Sequence, residues 1–167
     1  MTDDPYKLYT VLYKEDGFDH TPPPSVTAEN CAIFIESGED GSGFFFHLTG
    51  NISLPNGLKL EIHKLNINEL PDKEKKMIYI GTVTTIALVE QELLKILTPG
   101  RQLNYNPVSR VHERCALNGR ILSESEEKPP LRNRKDWVMN GIRALQLLGI
   151  IEKPVFTGSI SDTLRLK

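Results

Sequence analysis

Two short runs hold side chains whose types and spacing could do chemistry. One is Phe44-Phe45-Phe46-His47-Leu48-Thr49-Gly50. Strand alternation puts Phe45, His47 and Thr49 on one face and Phe44, Phe46 and Leu48 on the other, so His47 stands beside an aromatic ring as a hydrogen-bonding or proton-moving group. The other run is Leu131-Arg132-Asn133-Arg134-Lys135-Asp136-Trp137, which crowds three cations where a helix begins. Positive charge there opposes the helix dipole by about 0.3–1 kcal/mol per cation. An anion held by the free N–H groups and by Arg132 or Arg134 offsets that cost. A solvated, screened cluster is the alternative. Trp137 suits a core anchor, and it also lies near enough to the helix mouth to wall a ligand.

The remaining reactive groups are scattered. His20 lies in a polar connection, His63 at a strand end and His112 in a long loop, and all three read as surface residues. Cys31 and Cys115 form no CxxC and no Cys/His spacing that builds a zinc site, which predicts a reduced, cytoplasmic protein with no metal and no cofactor.

Strands carry the first half. Lys7–Tyr13, Cys31–Glu36, Phe44–Leu48, Leu58–Ile62 and Met77–Val83 are short and rich in β-branched or aromatic residues. Asp40-Gly41-Ser42-Gly43 and Pro55-Asn56-Gly57 between them have turn chemistry, so neighbouring strands are expected to run antiparallel. Helical period takes over with Ile86, Val89, Leu93 and Leu97, ended by Pro99-Gly100. In a second helix, capped by Asn133 with Asp136 three residues on, Val138, Ile142, Leu145 and Leu148 form the apolar stripe and Gly149 ends it. Residues 99–130 read as one long loop, and 1–27 as an N-terminal strand with a Pro-rich connection. The expected fold is α+β: one domain over 1–167, with an antiparallel sheet of four to six strands packed against two main helices.

A length of 167 residues suits one domain, and a formal net charge of −2 points to no nucleic-acid partner. Acids dominate up to residue 80 and bases after it. Two halves packed together attract, which explains the asymmetry without a ligand. The N-terminus lacks the pattern of a signal peptide, and no apolar run approaches the ~18 residues of a membrane span.

Over Ala28–Ile151 the order of an Ala32-Ile33-Phe34-Ile35 strand, the Gly41 to Gly50 strand, Tyr79-Ile80-Gly81-Thr82-Val83 before a helix, and Trp137-Val138 leading into Leu145-x-x-Leu148-Gly149-Ile150-Ile151 resembles a family of small uncharacterised fungal proteins. Their circularly permuted papain-like layout is similar to that of lecithin:retinol acyltransferase-like enzymes. The resemblance implies a histidine base just before the first strand and a cysteine nucleophile at the start of the last helix, where the helix N-terminus lowers the thiol pKa. Asn30 and Arg134 occupy those positions here, so the dyad is absent. Cys31 adjoins the lost base but points to the opposite face.

The expected function is therefore noncovalent. The chain is read as a small-molecule-binding protein, or an isomerase- or cyclase-type catalyst, acting on an apolar metabolite with or without a carboxylate, so that the partner is a small apolar or anionic ligand. Asn30, His47, Arg132, Arg134 and Trp137 are its candidate ligand-binding residues. A protein-interaction module and a thiol enzyme using Cys115 or Cys31 are the alternatives. Oligomeric state is left open by the sequence.

Overall fold

The computed structural model describes residues 4–14, 29–70 and 75–152. Five strands form one sheet: β1 (Tyr6–Lys14), β2 (Glu29–Glu36), β3 (Ser42–Gly50), β4 (Leu58–Asn66) and β5 (Lys75–Val83). Their order is β4-β3-β2-β1-β5, and every pairing is antiparallel. The expected strands are all present, each lengthened by two to four residues. The first four form a meander, while β5 pairs with β1 on the far edge, across a bulge between Leu8 and Tyr9.

Asp40 shapes the β2–β3 turn by accepting from the Ser42 N–H (3.0 Å) and hydroxyl (2.7 Å). Gly57 ends the β3–β4 turn at φ 61°, and a Cβ there would meet the Pro99 and Gly100 backbone at 2.5 Å. Glycine is needed on both counts.

Alternation gives the sheet two different faces. Leu8, Leu12, Cys31, Ile33, Ile35, Phe46, Leu48, Leu58, Ile78 and Ile80 join the main core with helices α1 (Ile86–Leu94) and α2 (Arg134–Leu147). Val11, Tyr13, Ala32, Phe34, Phe45 and Ile67 form a second buried cluster on the outer face. From α1 Val89 and Leu93 are buried, and from α2 Trp137, Val138, Ile142 and Leu145 are. At Gly141 a Cβ would stand 2.8 Å from Leu93 Cδ2, so the helices touch where that side chain is missing.

The apolar stripes are shorter than the sequence predicts. Leu97 lies past the end of α1 and is 80% exposed, because α1 stops at Leu94, before Pro99 is reached. Leu148 caps α2 and is 59% exposed, since Gly149 turns the chain away at φ 69°. The long connection is not structureless either. It contains a hairpin of β6 (Leu103–Asn106) and β7 (Val111–Arg114), followed by a Cys115–Ile121 bridge. Arg120 then grips Glu126 through two bonds of 2.8 and 2.9 Å. Its polar residues carry no period because they act in side-chain bonds such as Asn104 Nδ2 to Gly119 O (2.7 Å). Among the described residues no helix is long and apolar enough to cross a membrane.

Candidate functional site

The sheet divides the residues that the sequence singles out. His47 lies on the outer face, as the alternation predicts, and Asn30 shares that face because it is two residues from Ala32, the partner of His47. Trp137 is on the other side, fully buried in the helix-side core, with its indole N–H directed to Ile96 O at 3.4 Å. It anchors α2 to the core and does not stand with His47.

Arg134 is engaged by backbone. Its Nε donates to Leu48 O at 2.7 Å and an Nη to Gly50 O at 2.9 Å. The β2–β3 ladder ends at Ala32–His47 whereas β3 runs on to Gly50, so the guanidinium takes carbonyls beyond the last pair. The helix mouth is closed from within as well. Asn133 Oδ1 accepts from the Asp136 N–H, and Asp136 Oδ2 accepts from the Asn133 N–H at 2.8 Å. This capping box, with an acid in the first turn, offsets the cations without a bound anion. Arg132 is exposed and held by its backbone, which exchanges two bonds with the Gln102 amide.

Around His47 the structure gathers residues that no local pattern joins. Register sets Glu61 of β4 directly opposite His47, and His63, two residues along, projects on the same face. One ligand-type atom from each of His47, Glu61 and His63 lies within 4.8 Å of the other two. His63 Nε2 is 3.1 Å from Glu61 Oε2, and the His47 ring centroid is 5.1 Å from those of both His63 and Phe45. Tyr13 OH reaches His47 Nδ1 at 3.4 Å from β1, across the intervening β2. That contact leaves Nε2, shielded from solvent, as the ring's other nitrogen.

The hydrogen bond from His63 chiefly holds the Glu61 carboxyl below the usual carboxylate range, helped by one from Thr49 and by the adjacent His47. Glu61 is thus an anion beside two imidazoles. His63 is exposed, as the sequence predicts, but it lies within β4 rather than at its end and belongs to the His47 cluster. The signal that would have found it is Glu-x-His in one strand facing His47 in the next, legible only once the turn at Pro55–Gly57 fixes the register.

Both thiols are buried, Cys31 in the helix-side core and Cys115 beside the hairpin. Burial pushes the Cys115 thiol up, against the pull of Arg101 and Arg114. Neither is presented as a nucleophile. Of the other histidines, His112 packs edge-on against Tyr105 (5.7 Å) in the hairpin, and His20 lies outside the described residues.

An antiparallel five-stranded sheet, backed on one face by two helices and carrying a histidine–carboxylate cluster on the other, defines an α+β protein. The chain belongs to the DUF6540 family, a family of unknown function whose model matches residues 21–152. No curated protein and no solved structure matches it.

Proposed function

We propose that the chain binds a small, apolar, carboxylate-bearing molecule noncovalently on the outer face of its sheet, over Tyr13, Asn30, His47, Glu61 and His63. The observation that carries this reading is the convergence of Tyr13 and the His47–Glu61–His63 cluster above a floor of Phe45, Ala32 and Phe34. Polar groups that orient a ligand on an apolar floor are the usual make-up of a binding site. Where such a site turns its ligand over, isomerisation or cyclisation is the class of reaction it fits, because hydrogen-bond donors and acceptors are positioned and no nucleophile is offered.

We further propose that the fold is a permuted papain-like layout that has lost its dyad. Support comes from α2 opening at the end of the central strands, where Arg134 meets Leu48 and Gly50; Asn30, two residues past the last β2–β3 pair, lies on the face away from α2 and adds none.

Amide chemical-shift mapping with a panel of apolar carboxylates and their neutral esters tests the binding reading. Shifts are expected at Tyr13, Asn30, Ala32, His47 and Glu61, unchanged when the thiols are blocked. Shifts confined to the helix side, or abolished by thiol blocking, would overturn it.

A further inference from the structure

We propose that His47, Glu61 and His63 hold a divalent first-row transition ion of the zinc or cobalt class. This rests on the same outer face as the reading above and names the positive centre that a carboxylate ligand would meet there. The donor set is two imidazoles and one carboxylate, which suits borderline ions rather than Mg2+ or Ca2+. Ligands bound to one such ion at about 2.1 Å lie roughly 3–3.5 Å apart. The three donors already fall within 4.8 Å of one another.

The two strands fit the remaining requirement, that the donors close on the ion without moving the backbone. His47 and Glu61 are cross-strand partners, and Glu61 and His63 are i and i+2 on one face, so all three Cβ atoms project to the same side. His63 and Glu61 are about half exposed, 52% and 48%, and free to change rotamer. His47 is the fixed member. Tyr13 at its Nδ1 is the outer partner that a metal-bound imidazole normally has, setting which nitrogen faces the ion. Glu61 is additionally held by Thr49. Three protein donors leave coordination positions open towards solvent, as in ligand-binding and catalytic sites rather than closed structural ones. A bound carboxylate takes one of those positions, which resolves an otherwise awkward feature of the site, an anionic Glu61 where an anionic ligand is to sit.

The test uses the full chain, stripped of metal and free of any affinity tag. Co2+ is followed by its visible d–d absorption and Zn2+ by calorimetry, with Mg2+ and Ca2+ as comparison. One equivalent of Co2+ or Zn2+ is expected to bind, with no sulfur-to-cobalt charge-transfer band. Glu61→Gln and His63→Ala, both at exposed positions, should each weaken binding at least about tenfold, and Tyr13→Phe should weaken it by a smaller factor. Absence of saturable binding, a thiolate band, or affinity unchanged in Glu61→Gln and His63→Ala would each overturn the proposal. Repeating the shift mapping with and without chelator separates the two readings. Ligand shifts that persist in chelator while no ion binds remove the metal site alone, and ion binding without ligand shifts removes the small-molecule reading alone.

Discussion

Arg134 gives the sharpest prediction, because the structure replaces an expected anion contact with a mechanical one. In Arg134→Ala the carbonyls of Leu48 and Gly50 both lose their donor. The Leu48 bond is 2.7 Å and half-buried, where a charge-assisted bond contributes about 1.5–3 kcal/mol. The Gly50 bond is open to water, and about 0.5–1 kcal/mol is reasonable for it. Releasing the side chain returns up to about 2 kcal/mol of rotamer freedom, while a half-buried Leu48 carbonyl left without its donor costs about 1 kcal/mol more. The net loss is about 2 kcal/mol, which for a chain of this size lowers Tm by roughly 4–8 °C. Arg134→Lys should recover at most about half, since an ammonium cannot offer the two parallel donors of a guanidinium. Arg132→Ala, at an exposed side chain, should stay within about 0.5 kcal/mol of wild type. Thermal and urea unfolding decide the matter. A Tm for Arg134→Ala within about 1 °C of wild type would refute the clamp, as would equal losses at Arg132 and Arg134.

Three further outcomes are expected. Leu145→Ala, at a fully buried position between α2 and the sheet, should cost about 2–5 kcal/mol in urea unfolding, and an unchanged midpoint would contradict its placement. Cys31 and Cys115 should both react slowly with a thiol reagent at neutral pH in the native protein and quickly in denaturant; fast native labelling of Cys115 would show its thiol to be open and unshifted. The Glu126 carboxyl is pulled down to about 2, chiefly by its hydrogen bond to Arg120 and then by that from Ser123 N–H. Its contribution to stability is therefore complete above the ordinary value near 4.5 and lost as pH falls towards about 2. Wild type and Glu126→Gln should differ most above about pH 5 and converge on acidification, and a constant gap across that window would disprove the linkage.

Elements with a single apolar face were legible because their period is written in consecutive residues. β3 shows this, with Phe44, Phe46 and Leu48 against Phe45, His47 and Thr49, and so does α2 with its Asn133–Asp136 box. What depends on register was not legible. His63 and Glu61 become neighbours of His47 only through the β3–β4 pairing, and Tyr13 reaches His47 only because β1 and β3 flank the same strand. The β6–β7 hairpin escaped notice because Leu103 is its one buried strand residue, too few for an alternating pattern. For Arg134 the sequence points to an anionic ligand as the group that offsets its charge. The compensating groups were carbonyls 84 and 86 residues away, which no sequence window contains.

β4 carries two of the proposed metal ligands and is also an edge of the sheet among the described residues. An edge strand presents unpaired backbone groups that can recruit a strand from another molecule. Pro99 blocks the first such position by accepting the Leu58 N–H at 2.8 Å, and beyond it Lys59, Glu61, His63 and Lys64 are exposed. Stacking a second copy there would bring like residues of both signs together and strip them of water. Charge on this strand thus guards against edge-to-edge aggregation as well as shaping a site. Variants that neutralise Glu61 or truncate His63 change that guarded edge, and light scattering at the concentrations used for binding is the measurement that separates lost affinity from lost solubility.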